Sequence, residues 1–187
     1  MKNARLVEIR LDKLKTRPQE IVFCEPATEF HALAELAEQS GLEFIEPLRG
    51  QLLANWPGDV IKVSGQISTT VQMPCSRCLS DVSWELNLDV LVCYSPASTD
   101  NSDALDHERE LSSDDLGLVP LIGDVIDIRS ELEQEVIMAI PQHVLCMEDC
   151  AGLCPVCGVD LNQNKCKCER PIFHQGLAAL KKVKIEK

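Results

Sequence analysis

From Val60 to Tyr94 the chain alternates apolar and polar residues with a period of two. Ile61, Val63, Ile67, Thr69, Val71 and Met73 share one parity; Lys62, Ser64, Gln66, Ser68, Thr70 and Gln72 share the other. Val82, Trp84, Leu86, Leu88, Val90, Val92 and Tyr94 then alternate with Ser83, Glu85, Asn87 and Asp89. Successive side chains of a strand point to opposite faces, so the pattern predicts two long half-buried strands. Pro57-Gly58 marks an earlier turn, which makes Leu48 to Trp56 a third strand. Strands joined this way form an antiparallel meander with one wet face.

Weaker patterns flank the meander. Arg5 to Leu11 alternates like a strand, and Ile21 to Cys24 reads as a short one. Thr28 to Gln39 is a predicted helix with Phe30, Leu33, Ala34 and Ala37 on one face, Thr28 placed to cap its start and Gly41 to close its end. Leu121 to Ile128 reads as a short strand ending the sheet. Ile128, Leu132, Val136, Ala139 and Ile140 mark a helix face that Pro141 terminates, and Phe173, Leu177 and Leu180 suggest a short last helix. Lys181, Lys182 and Lys184 suit the C-terminus of that helix.

Composition narrows the class. The apolar share of 45% in 187 residues supports a real core. The longest apolar stretch, around Val136 to Ile140, is far shorter than the ~20 residues of a spanning helix. The first residues, MKNARLVEIRLDKLK, carry charges throughout and no apolar core of a secretory signal, so a cytoplasmic location is expected. Net charge is −12, which argues against a generally nucleic-acid-binding surface. The charge is uneven, however. Met1 to Arg17 holds six Lys or Arg against two acids, and Lys165 to Lys187 holds seven against two. Seven acids between Asp100 and Asp115 define an acidic loop at about 97–118.

The cysteines carry the chemistry. Thiols stay reduced in the cytoplasm, so ten of them in this chain point to metal rather than to disulfides. Cys154-Pro-Val-Cys157-Gly158 is a knuckle, with two thiolates spaced to face one ion and a glycine that frees backbone amides to point at sulfur. Cys166 and Cys168 follow after a turn-prone Asn-Gln-Asn stretch and complete four ligands. One structural zinc held by Cys154, Cys157, Cys166 and Cys168 is the simplest site, with Cys146 and Cys150 as alternates. Zinc ligation contributes on the order of 10 kcal/mol toward ordering such a segment. Cys75-Ser-Arg77-Cys78 is a second pair, predicted at a hairpin tip. It is open to three readings: half of a second zinc site, or of one shared with Cys146 and Cys150; a contact loop presenting Arg77; or a redox pair, which would rather open a helix. Cys24 and Cys93 lie in strand-like segments and read as core or sheet-packed thiols. His143 and His174 flank the cysteine segment as weaker candidate ligands. No phosphate loop or HExxH motif occurs, and no small-molecule substrate or catalytic residue is expected. The expected fold is α+β: an antiparallel meander or barrel-like sheet with a few packed helices in a core of residues 1–140, then a zinc-binding loop and basic helix in 141–187.

Several blocks occur in a distinctive order. Met-Pro-Cys75-Ser-Arg77-Cys78-Leu79 is followed by Ile126-Asp127-Ile128 and the run to Pro141, then by Leu145-Cys146 and Gly152-Leu-Cys154-Pro-Val-Cys157-Gly-Val-Asp-Leu-Asn162. Together they resemble the YceD family, the large ribosomal RNA subunit accumulation proteins, over most of Leu48 to Leu180. The resemblance implies a non-enzymatic role in large-subunit biogenesis, supporting synthesis, processing or stability of 23S rRNA. It marks Cys75, Arg77 and Cys78 as binding positions. The implied partner is large-subunit ribosomal RNA or a pre-ribosomal particle. Two other functions compete: a zinc-dependent adaptor for a ribosomal protein, and a thiol oxidoreductase using Cys75 and Cys78.

Overall fold

The alternation between Val60 and Tyr94 becomes two long neighbouring strands in the computed structural model, which describes residues 7–96, 117–121 and 123–169. In chain order the elements are β1 (Glu8–Arg10), the single turn α1 (Leu11–Leu14), β2 (Gln19–Glu25), α2 (His31–Ser40), β3 (Glu43–Phe44), β4 (Leu48–Asn55), β5 (Ile61–Pro74), β6 (Asp81–Pro96), β7 (Leu118–Leu121), β8 (Val125–Asp127) and α3 (Arg129–Ala139). The chain divides into two compact units, and the named elements lie in the first apart from the ends of β5 and β6. One comprises Met1–Met73 with Ser83–Gln142; the other comprises Pro74–Val82 with His143–Lys187.

In the first unit six strands form one sheet in the order β2-β4-β5-β6-β7, with β3 paired to β5 off that path. β2–β4 and β4–β5 are antiparallel, with Phe23 opposite Gly50 and Leu52 opposite Gly65. The parity read from the sequence sets the buried face of β5: Ile61, Val63, Ile67, Thr69, Val71 and Met73 are all buried. On β6 burial begins at Leu86 and continues through Val90, Val92 and Tyr94, while Trp84 is exposed. Phe30 and Leu33, with Leu132 and Val136 of α3, join them in the core.

Several expectations are corrected. The sheet is open, so the barrel-like reading fails: β2 and β7 are its two ends. It is not wholly antiparallel either, because β7 pairs with β6 in parallel. Pro120 within β7 has no N–H to donate and suits an edge strand. The single strand expected over Leu121 to Ile128 is two strands with different partners. β7 ends at Leu121, Gly123 turns the chain at φ 97°, and β8 pairs antiparallel with β1. Thr28 does not cap α2; it lies in a short 3-10 turn over Ala27–Glu29. The first turn of the helix instead receives a cap from α3, where the Glu133 carboxylate accepts the Ala32 N–H at 3.3 Å. Gly41 closes α2 in the left-handed conformation, as its position suggests. Cys24 is exposed, because Ile21, Phe23 and Glu25 take the buried parity of β2. Most of the acidic loop, the last predicted helix and residues 1–6 lie outside the described residues. No helix among the described residues is long and apolar enough to cross a membrane.

Candidate metal centre

The second unit has little apolar material, and its buried centre is largely sulfur. Cys75, Cys78 and Cys150 are buried together, with Val82, Leu145, Cys146 and Leu153 packed around them. Two short arms build this group. In the first, Cys75 to Ser80 folds into a turn: the Leu79 N–H donates to the Cys75 carbonyl at 3.0 Å, and the Cys75 N–H donates to the Ser80 carbonyl at 2.8 Å. That turn brings the thiols at 75 and 78 to one side. In the second arm, Cys150 N–H closes a turn on the Met147 carbonyl at 3.1 Å, which aligns Cys150 with Cys146. A bond from Ser76 N–H to the Val144 carbonyl, 2.8 Å long, ties the two arms.

The Sγ atoms of Cys75, Cys78, Cys146 and Cys150 all lie within 4.8 Å of one another. Cys75 is 3.8 Å from Cys150, and Cys78 is 3.5 Å from Cys146. A tetrahedral ion with metal–sulfur bonds of about 2.3 Å sets its sulfurs about 3.8 Å apart. The arrangement fits such an ion, and its ligands come from segments 68 to 75 residues apart in sequence.

A second group of four follows directly. Cys154, Cys157, Cys166 and Cys168 also hold their sulfurs within 4.8 Å of one another. Cys154 is buried, Cys157 is exposed, and the other two are half-buried. Here the Gly158 N–H donates to the Cys154 carbonyl and the Cys154 N–H to the Val159 carbonyl, both at 2.9 Å. All ten cysteines are free thiols. Cys146 and Cys150, the alternates for the C-terminal set, lie beside Cys75 and Cys78 instead. Neither group includes a histidine, and His174 lies outside the described residues.

The family model described as large ribosomal RNA subunit accumulation protein YceD matches residues 63–184, a span that holds both groups of four thiols. The chain belongs to the YceD family. It is 30% identical over 144 residues to an uncharacterised protein of Mycobacterium tuberculosis, covering 71% of this chain and 63% of the relative. The chain thus spans less than two thirds of that relative's length. A chloroplastic YCED homolog 1 of Zea mays, itself named a large ribosomal RNA subunit accumulation protein, is 25% identical over 143 residues, or 66% of this chain and 48% of the relative. The protein YlbN of Bacillus subtilis is 26% identical over 149 residues, 79% of each chain. No solved structure matches the chain significantly.

Within this YceD unit the thiols do not share one acidity. Burial raises Cys75, but backbone N–H groups of Arg77, Cys78 and Cys146 outweigh it and bring the thiol down to about 6. The N–H of Cys157 and of Val156 bring Cys154 down to about 6 in the same way. The Ser80 hydroxyl favours the ionised form of Cys146, yet the neighbouring Cys78 sulfur and burial push that thiol up to about 12. Cys168, beside Cys157 and partly buried, also rises to about 12. Four thiolates crowd each other unless a cation sits among them, so one member of each group is easy to ionise and another is not.

Three residues support the thiol groups through contacts that the sequence does not announce. Arg77 is exposed, and its Nη1 donates to the Cys150 carbonyl at 2.8 Å while its own carbonyl accepts the Leu153 N–H at 3.0 Å. Gly152 has φ 74°, and a Cβ there would stand 3.0 Å from the Arg77 carbonyl oxygen. Asn162 sits between the halves of the second group and yet donates from Nδ2 to the Cys150 sulfur at 3.4 Å. Such contacts join segments far apart in sequence, and no local spacing announces them.

Proposed function

We propose that this protein is a non-enzymatic factor of large ribosomal subunit biogenesis, acting in the cytoplasm on large-subunit ribosomal RNA or a precursor particle to support synthesis, processing or stability of 23S rRNA. Membership of the YceD family over residues 63–184 is the observation that carries this reading. We take both thiol groups to hold structural zinc. Four cysteine sulfurs in a closed tetrahedral set are its usual ligands, and no coordination position is left open for a substrate. The buried position of Cys75, with backbone N–H groups of Arg77 and Cys146 at 3.5 and 3.4 Å from its sulfur, supports a ligand role over thiol exchange.

The zinc-organised unit would present its exposed surface to the particle. Leu79 favours such a role. It is an apolar side chain 64% exposed, on the one non-glycine residue with positive φ among the described residues. Unfavourable backbone of this kind collects at functional positions. Net charge of −12 favours a basic ribosomal protein as part of the contact, so an adaptor role remains the second reading.

Crosslinking in cells, followed by sequencing of the recovered RNA, tests the first reading. Enrichment of large-subunit ribosomal RNA is expected, with a deficit of large subunits in a strain lacking the protein. Recovery of no such RNA together with unchanged subunit profiles refutes it. Co-purification of a ribosomal protein that survives nuclease favours the adaptor.

A further inference from the structure

Asn162 belongs to one thiol group by position and serves the other by contact. It lies in the loop between Cys157 and Cys166, whose two ends carry the ligands of the local group. Its side chain amide reaches out of that loop. Oδ1 accepts the Ala151 N–H at 2.7 Å, and Nδ2 donates both to the Cys150 sulfur at 3.4 Å and to Asp160 Oδ1 at 2.8 Å. Asp160 Oδ1 also accepts the Asn162 backbone N–H at 2.9 Å, which fixes the amide's direction. The loop is paired to the chain beside Cys150 at two further points: the Leu161 N–H donates to the Gly152 carbonyl at 2.9 Å, and Leu153 bridges to Asp160. The orientation of the amide is unambiguous, because the Ala151 N–H requires an oxygen where Oδ1 stands.

We infer that the two metal sites are coupled, with Asn162 as the positioning residue that ties occupancy of the Cys154/Cys157/Cys166/Cys168 site to the affinity of the Cys75/Cys78/Cys146/Cys150 site. A metal across Cys154, Cys157, Cys166 and Cys168 closes the loop and holds Asn162 in place. The held amide donates to the Cys150 sulfur, which fixes its direction, and anchors Ala151 next to it. When the local metal leaves, the loop is released and the buried site loses a hydrogen bond to one of its sulfurs. Groups that orient a metal ligand typically change metal affinity by roughly 10–100-fold when removed. Coupling of this kind is reciprocal, so emptying the buried site weakens the local one by the same factor. The exposure of Cys157 makes the local site the first to yield its metal. The unit would then lose metal in sequence, local site first.

The inference rests on the metal assignment proposed above, and the experiment separates the two. The full chain is loaded with cadmium-113 as a spectroscopic probe, and each site is followed by its own resonance during competition with a chelator. Two bound equivalents are expected in the parent chain. Asn162→Ala and Cys157→Ser should each lower the affinity of the buried site by roughly 10-fold or more. The double variant should be no weaker than Cys157→Ser, because both changes remove the same contact. Cys78→Ser should weaken the local site in return. Additive losses in the double variant, or a buried site indifferent to Cys157→Ser, overturn the coupling while leaving two metals in place. A parent chain that takes up no metal overturns the metal assignment and the coupling with it. If a variant fails to fold, the parent chain decides. Limiting chelator should remove the local ion first and shift the buried site's resonance, and an unmoved resonance overturns the coupling.

Discussion

Leu79 and Gly158 occupy the same place in two copies of one turn. Each is four residues beyond the first cysteine of its pair, each donates its N–H to that cysteine's carbonyl, and each has positive φ, 63° at Leu79 and 72° at Gly158. Glycine adopts that conformation freely, whereas a side chain there costs about 1–2 kcal/mol. Leu79→Gly should therefore stabilise the second unit by about 1 kcal/mol and keep its metal content. Gly158→Ala should destabilise it by about 1 kcal/mol. Denaturant unfolding of the three chains measures both. If the leucine is kept for contact, Leu79→Gly will also weaken association with the precursor particle, seen as its shift away from the large-subunit fractions of a gradient. A more stable variant with undiminished association would leave the side chain without that role.

Arg77 separates a structural bond from a charge. Its guanidinium holds the Cys150 carbonyl, while Gly152 packs closely against its backbone. Arg77→Lys keeps the charge and loses the fork geometry, so about 1 kcal/mol of stability should go with it. Arg77→Ala should cost at least as much, and a salt-dependent loss of RNA crosslinking beyond the Arg77→Lys effect would identify a phosphate contact. Gly152→Ala provides the reference, since it strains the same junction without touching charge. It should destabilise by about 1–3 kcal/mol through its positive φ and the near contact with the Arg77 carbonyl. Equal crosslinking by Arg77→Ala and Gly152→Ala chains of matched stability would restrict Arg77 to the structural bond.

These relationships show which parts were open to a reader of the sequence. The buried face of β5 followed from parity, because a period of two maps directly onto the two faces of a strand. Grouping of Cys154 and Cys157 with Cys166 and Cys168 followed from short spacing, because a loop of that length brings its own ends together. The parallel edge of the open sheet was not legible: β7 returns beside β6 only after a long connection, and nothing local sets its direction. The partnership of Cys75 and Cys78 with Cys146 and Cys150 was visible only as one option among several, since their arms meet through the bond between Ser76 and Val144. Asn162 stood out only as part of a turn-prone stretch and of the family-like block. Its turn-prone neighbours suggested a loop, whereas its contact with Cys150 depends on how that loop pairs back onto residues 151–153.

Metal counting tests the division of the thiols. Purified protein should carry two zinc ions, one for each set of four sulfurs. Cys78→Ser and Cys157→Ser should each abolish one site, while Cys24→Ser, which alters an exposed thiol outside both sets, should abolish none. Elemental analysis of protein prepared without chelator gives the count directly. One zinc in the parent chain, lost equally in Cys78→Ser and Cys157→Ser, would contradict two separate sites.

The acidities inside each set predict how metal uptake depends on pH. Without metal, the Cys75 and Cys154 thiols are depressed to about 6, below the ordinary 9.0. Their contribution to stability is present above pH 9 and is lost as pH falls toward 6. Cys146 and Cys168 are raised to about 12, so their contribution has the opposite sign, present below pH 9 and lost as pH rises toward 12. Near neutrality the first pair is therefore mostly ionised and the second protonated. Zinc binds thiolates, so it must displace at least one proton at each site, from Cys146 in one and from Cys168 in the other. Calorimetric titration of the metal-free chain in buffers of different ionisation enthalpy should show at least two protons released near pH 7, together with affinity that rises with pH. Cys168→Ala, which removes a ligand, should abolish uptake at the local site and with it the protons that Cys168 and the likewise raised Cys166 release there. Uptake of two zinc ions with no proton release would show that all eight ligands are already ionised, contrary to the acidities of Cys146 and Cys168.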